Sequence, residues 1–346
     1  MMKTRVLISL IGLLTVCSCK AQKQDSKQTD RWDRILVYQL PNGGWPKHYT
    51  DGNATDYSKS LTKDILNKIV KEDKAATIDN RATTKEIEEL VEAYQKTGKT
   101  PYKEAVIRGV AYLLAAQYAN GGFPQYYPDT KGYRSQITFN DNAMINALTV
   151  LRNVSNTEDG YNFISEEMRQ KANLAVQKGV SCILKTQVLV NGEYTIWAAQ
   201  YDEHFKPAQA RKFEPVALAT GESVGVVRFL MKEKPTQEII TAIEGAVKWF
   251  EKNQIAGYSF EIKQNANGKV ERNLVVNPDG VVWSRFYEIG TNRPIFGDRD
   301  DAVHYDFNEI SEERKNGYSW YGNWASNLLQ SNYPKWLKSI NSNTNK

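Results

Sequence analysis

The chain has 346 residues, 25% of them charged and 41% apolar. That excludes a disordered chain, a collagen and a multi-span membrane protein, and leaves length for one sizeable core. The formal net charge is +5, too mild an excess to argue for nucleic acid, and no nucleic-acid partner is expected.

Residues 1–19 read as a signal peptide. Lys3 and Arg5 give a basic start, and the apolar run over 6–16 is too short to span a bilayer. In Leu14-Thr15-Val16-Cys17-Ser18-Cys19 a cysteine follows small residues, as in a bacterial lipoprotein signal. Cys19 is the expected lipid carrier and Cys17 the other candidate; plain secretion, with cleavage after Ala21, is the competing reading. The protein is therefore expected to be exported, as a periplasmic or outer-membrane lipoprotein or in secreted form. Residues 20–34 read as a polar linker and 35–346 as one domain. Past the leader only Cys182 remains, so there is no internal disulfide, and its apolar helix face makes it a core residue. Nothing points to an oligomer, and a monomer is expected.

The body reads as helix pairs. Thr83-x-x-Glu86 has the form of a capping box, Ile87, Leu90, Val91 and Tyr94 follow at helical spacing, and Gly98 marks a stop. Pro101 opens a second helix carrying Val106, Val110, Leu113 and Leu114. Met144 to Leu151 and Met168 to Leu184 make a second pair; Val224 to Met231 and Ile239 to Phe250 make a third. The loops repeat too: Asn42-Gly43-Gly44-Trp45-Pro46 recurs as Asn120-Gly121-Gly122-Phe123-Pro124. Asn191-Gly192 leads to Trp197, and Asn316 to Trp320 is a weaker fourth echo. Trp45, Phe123 and Trp197 are thus equivalent. Core packing is the default for them, but Gln200-Tyr201-Asp202 after Trp197 makes Trp197 and Asp202 candidates for lining a sugar cleft. Helix pairs at such a period must stack on one another, which predicts an incomplete ring of inner and outer helices, with an open solenoid as the alternative. From about 255 onward, short strands and irregular loops are expected to pack over one face of the ring.

Aligning the repeats at the start of each first helix sets Asp79-Asn80-Arg81-Ala82 beside Asp141-Asn142-Ala143, with Arg211-Lys212 in third place before a helix starting near Pro215. Stacked repeats bring equivalent positions to one face, so two carboxylates and a guanidinium should meet at one mouth. Each aspartate alone also fits a helix start serving the backbone dipole; the repeated Asn and Ala favour a site. The histidines His48, His204 and His304 lack metalloprotease spacing, and Asp202 and Glu203 are neighbours, a poor arrangement for straddling a glycosidic bond.

The segments Ile78-Asp79-Asn80-Arg81-Ala82-Thr83, Phe139-Asn140-Asp141-Asn142-Ala143-Met144, Trp197 to Asp202, Ala210-Arg211-Lys212-Phe213-Glu214-Pro215, Ser284 to Ile289 and Gly297-Asp298-Arg299-Asp300 together resemble a pectate lyase of polysaccharide lyase family 10. The resemblance implies a mainly all-α fold, an α/α toroid of three helix pairs, and calcium-assisted β-elimination of de-esterified polygalacturonate to 4,5-unsaturated oligogalacturonides. It implies that Asp79 and Asp141 hold Ca2+ with the substrate carboxylate, that Arg211 is the catalytic base, and that Arg299, with Arg285 as a second contact, grips a uronate carboxylate. Asn80, Asn142, Lys212, Asp202 and Trp197 are expected to complete the contacts with the pectin oligosaccharide. The alternatives are a hydrolase of uronate oligosaccharides on the same ring and a non-catalytic pectin-binding lipoprotein.

Overall fold

A computed structural model describes Gln28, residues 30–129 and residues 131–344. The expected signal peptide, with Cys17 and Cys19, lies outside the described residues. Among them no helix is long and apolar enough to cross a membrane.

The expected linker ends earlier than residue 34. Helix α1 covers 30–37, its Trp32 and Ile35 are buried in the main core, and Arg31 forks onto Glu89 at 2.8 and 2.8 Å. A short α2 (Lys63–Lys68) follows. Three hairpins then make the body: α3 (Thr84–Thr97) with α4 (Thr100–Ala116), α5 (Ala143–Asn156) with α6 (Glu166–Thr186), and α7 (Thr220–Leu230) with α8 (Gln237–Lys252). Helices α3, α5 and α7 stand side by side as an inner row, with α4, α6 and α8 outside them. This is the ring of inner and outer helices expected from the repeats, and the α/α toroid that the resemblance implies. Gly109 on α4 and Gly179 on α6 lie where a Cβ would strike Ile87 of α3 and Leu148 of α5, so close inner–outer packing requires glycine at both.

Of the expected helix signals, the stop at Gly98 holds and the capping box at Thr83 does not. Ser165 and Thr236 cap α6 and α8 through their side chains, and α3 ends on Gly98 at φ 67°. Thr83 and Glu86 form no capping box. The Thr83 hydroxyl accepts from the Trp45 amide at 2.9 Å and donates to the Thr77 carbonyl at 2.8 Å, while buried Glu86 accepts from the Tyr57 hydroxyl at 2.7 Å. Tertiary partners have taken both side chains from the helix end.

The loop repeat has four copies, and the fourth is not the one expected. Trp45, Trp197 and Trp283 are buried, and each donates its indole N–H to a helix carbonyl: Ile35 of α1 at 2.9 Å, Ile183 of α6 at 2.8 Å and Phe250 of α8 at 2.9 Å. Phe123 is the buried counterpart after α4, without the polar handle. Trp320, at the expected echo, belongs to a second core with Phe286, Phe296 and Tyr321. Each copy carries a tyrosine four residues on (Tyr49, Tyr127, Tyr201, Tyr287), and the Tyr201 and Tyr287 hydroxyls accept the amides of Ala198 and Ser284 at 2.6 and 3.0 Å.

The region after 255 is more regular than expected. Ile255–Gln264 and Val270–Ser284 form a long antiparallel hairpin, with Phe260 opposite Leu274. It leads into the fourth aromatic loop, whose Phe286 and Tyr287 pair with Ala219 and Leu218 just before α7. A short α9 (Glu312–Gly317), then a π-turn (Leu328–Asn332) and α10 (Tyr333–Thr344), complete the chain.

Candidate active site

Backbone hydrogen bonds fix the register of the three inner-helix starts. The amides of Thr77, Thr138 and Ala219 bond the carbonyls of Trp45, Phe123 and Trp197 at 3.2, 3.0 and 2.7 Å. The next amides, of Ile78, Phe139 and Thr220, bond carbonyls of the following loop copy: Gln125 at 3.2 Å, Ala199 at 2.8 Å and Arg285 at 3.0 Å. Asp79 is therefore equivalent to Asn140 and Gly221, and Asn80 to Asp141 and Glu222. The alignment by letters was off by one residue. The backbone agrees: the left-handed pair is Asn80 and Arg81 (φ 49° and 64°) in one turn and Asp141 and Asn142 (φ 51° and 57°) in the other. Each turn holds one carboxylate and one amide in contact, in swapped order. Asn80 Nδ2 donates to Asp79 Oδ2 at 3.3 Å, and Asn140 Nδ2 to Asp141 Oδ2 at 3.0 Å.

The third copy is Thr220-Gly221-Glu222, not Arg211-Lys212. Helix α7 starts at Thr220 rather than near Pro215, because Leu218 and Ala219 are held as a strand against the fourth loop. Arg211 comes from the long loop before that strand. It reaches the same place nonetheless: Lys47, Asp79, Asn80, Tyr126, Asp141 and Arg211 all line one cavity of about 390 Å3.

Charge is tightly arranged there. Asp79 is 2% exposed; its Oδ2 pairs with the Lys47 ammonium, and its Oδ1 is buried with no hydrogen-bond partner. Burial raises the Asp141 pKa, Glu222, Asp79 and Glu214 add to the rise, and Arg285 opposes it. Glu222, also buried, accepts from Arg285 Nη2 at 2.8 Å through Oε1 and leaves Oε2 unpaired. Arg285 lies with its guanidinium carbon 4.4 Å from the Tyr318 ring centre. Arg211 is gripped by Glu214, which accepts from Arg211 Nε at 2.7 Å and also from its Nη2, while the Tyr318 hydroxyl donates to Glu214 at 2.9 Å. That bonding to Glu214 holds the Arg211 pKa above its ordinary value against the opposing effect of burial. The third loop position supplies Lys47, Gln125, Ala199 and Arg285 in the four copies, so the repeat itself sets a cation at either end of the row.

A family model described as pectic acid lyase matches residues 39–329. Two solved structures of a family 10 polysaccharide lyase from Cellvibrio cellulosa are similar to the chain. One, an aspartate-to-alanine mutant in complex with trigalacturonic acid, is 36% identical at a TM-score of 0.79, over 87% of this chain and 91% of that one. The other is 35% identical at a TM-score of 0.79, over 89% and 94%. The chain belongs to the pectic acid lyases of polysaccharide lyase family 10. Among curated proteins nothing matches.

Not every expected contact reaches this lyase's cleft. Trp197 is 0% exposed and bonded into α6, so it is a core residue, as Trp45 and Phe123 are in their own copies. Asp202 lines a separate cavity with Glu203 and His204, and its carboxylate closes a turn by accepting the amides of His204 and Lys206 at 2.9 and 2.8 Å. Asn142 turns its amide oxygen onto α7, where Gly225 makes room for it. Lys212 is exposed and does not line the cleft. Arg299 stands at the rim, forked onto Glu313 at 3.0 and 3.0 Å, and its amide bonds Asp298 Oδ1 at 2.7 Å. Glu214 and Glu222 are the residues that sequence reading missed in the lyase. The signal for Glu222 was the position of Trp283, which sets the register of the third copy.

A hard cation fits the acidic side of the lyase's cleft. Calcium takes six to eight oxygen ligands, and the unpaired buried Oδ1 of Asp79 and Oε2 of Glu222 are acceptors without a donor, close to Asp141. Among the described residues no three acidic, His or Cys side chains are grouped so that they could hold a metal by themselves, so water and sugar oxygens would supply most of the shell.

Proposed function

We propose that the chain cleaves de-esterified polygalacturonate by calcium-assisted β-elimination and leaves 4,5-unsaturated oligogalacturonides. The observation that carries this reading is the meeting of Asp79, Asp141 and Arg211 in one cleft. The trigalacturonic acid bound to the similar lyase from Cellvibrio cellulosa supports the substrate class.

Asp79 and Asp141 would hold the ion. When bound, calcium supplies positive charge to the uronate carboxylate as negative charge builds on it. Arg285, anchored on Glu222 and acting electrostatically on Asp141, would add its charge to that work. Arg299, whose Nε and Nη2 are held by Glu313, would reach a neighbouring carboxylate through Nη1. Arg211 spends Nε and Nη2 on Glu214, so Nη1 is its free end and the atom to receive the C-5 proton. The C-5–H bond breaks, the C-4=C-5 double bond forms, and the C-4–O bond breaks toward the leaving sugar, which takes a proton from water. An arginine is ordinarily protonated, so only its neutral fraction serves, and that fraction grows with pH.

The test is polygalacturonate with ultraviolet absorbance followed with and without a chelator. New absorbance that the chelator abolishes is the expected result. Reducing ends without absorbance, or an unaffected rate, overturn the elimination or its calcium dependence respectively. Export as a monomeric lipoprotein with lipid on Cys19 is proposed from the leader alone, and the mass of the mature amino terminus tests it.

A further inference from the structure

We infer that Glu214 and Tyr318 are positioning residues that hold Arg211 in a fixed orientation relative to Arg285; this rests on the elimination reading above. The Glu214 carboxylate contacts Arg211 three times, through the main-chain N–H at 3.2 Å, Nε at 2.7 Å and Nη2. Such a fork removes rotation about the guanidinium and leaves a single free nitrogen. Glu214 is itself held: it is 6% exposed, and the Tyr318 hydroxyl donates to its Oε1 at 2.9 Å. The Tyr318 ring in turn lies 4.4 Å from the Arg285 guanidinium carbon, and Arg285 is anchored on Glu222. Arg211, Glu214, Tyr318, Arg285 and Glu222 therefore form one continuous chain of contacts. It ties the expected base to an expected carboxylate contact, although they come from loops far apart in sequence.

Other groups face Arg211 without replacing that grip. Tyr133 approaches from the turn before the second inner helix, and Arg299 from the rim loop. The guanidinium carbons of Arg211, Arg299 and Arg314 stand 4.6, 5.7 and 4.3 Å from the ring centre of Phe213. Three cations around one ring repel each other. Glu214 supplies the counter-charge to Arg211, and Glu313 supplies it to Arg299 and Arg314.

The experiment compares wild type, Glu214→Gln, Glu214→Asp and Tyr318→Phe for kcat, KM and the pH dependence of kcat, with thermal unfolding as a check on folding. Misplacing a reacting group by about 1 Å costs roughly 100-fold in rate, so Glu214→Gln is expected to lose about that much kcat with KM little changed. Removing a carboxylate that favours the charged guanidinium also moves the alkaline rise of rate toward lower pH, by about one unit or more. Glu214→Asp keeps the charge and shortens the reach, so its pH profile stays near wild type while kcat falls. Tyr318→Phe loses one hydrogen bond and roughly 2- to 10-fold in kcat. A merely structural role would lower stability without moving the pH limb. If Glu214→Gln does not fold, a Tyr318→Phe enzyme at wild-type rate overturns the inference. A wild type without elimination activity overturns the functional reading and the inference together. An active wild type whose Glu214→Gln form keeps both rate and pH limb overturns the inference alone.

Discussion

Lys47 and Asp79 form an ion pair at the mouth of the cleft, with one Asp79 oxygen occupied by the ammonium and the other buried and unpaired. The protein thus carries its own cation at the carboxylate expected to hold calcium. Burial works to lower the Lys47 pKa, but its bond to Asp79 outweighs this and raises it, so the ammonium keeps its charge. Lys47→Met removes the internal cation and its charge. Calcium is then expected to raise the thermal unfolding midpoint more in the variant than in the wild type, while without calcium the variant is less stable by about 3 kcal/mol, as when one partner of a buried pair is lost. Unfolding scans with and without calcium measure both effects; equal calcium shifts would show that the ion does not use Asp79.

Arg211→Lys keeps a positive charge but has no fork with which to engage both oxygens of Glu214. We expect kcat to fall at least about 100-fold. In the wild type Glu214 holds the Arg211 pKa above its usual value, so the neutral form is scarce near neutrality and increases as pH rises. The rate should therefore climb well into the alkaline range. A pH–rate profile that peaks below neutrality would show that some other group takes the proton.

The helix pairs were legible because apolar residues recur at helical spacing and Gly98 and Pro101 punctuate them. The site was legible only in part. Asp79-Asn80 and Asp141-Asn142 share letters, yet the left-handed residues that fix the turn begin one place later in the first copy than in the second. Letters therefore aligned side chains that the backbone places one residue apart. Glu222 was hidden because Thr220-Gly221-Glu222 shares no letter with the other two turns. Thr83 and Glu86 had the spacing of a capping box, but spacing cannot reveal that Trp45 and Tyr57 will claim their side chains. Arg211 enters the cleft from the loop before the third copy and not as a member of the repeat, so the repeat does not account for its place there.

Glu222→Gln tests the third copy. It would leave Arg285, whose side chain is 14% exposed, without its anionic partner. Breaking a buried pair from one side costs roughly 3–5 kcal/mol, to be read from urea unfolding. Affinity for oligogalacturonate should also weaken, because Arg285 would lose the anchor that holds its charge beside Asp141. A variant as stable as the wild type would mean that the pair is solvated in solution and that Glu222 does not organise the acidic turn.

Trp197 and Cys182 test the core assignment, since both are fully buried and the indole reaches α6 one residue past the thiol. Trp197→Ala removes a buried ring and strands the Ile183 carbonyl that its indole N–H satisfies. A loss of about 3–5 kcal/mol is expected, with KM for substrate close to wild type in whatever fraction remains folded. For Cys182, burial pushes the thiol pKa up to about 12. A thiol alkylating reagent at mildly alkaline pH should therefore leave it unmodified in the native protein and react with it after unfolding. Labelling measured by mass before and after denaturant decides the point, and prompt native labelling would mean that this part of the core opens far more readily than its packing indicates.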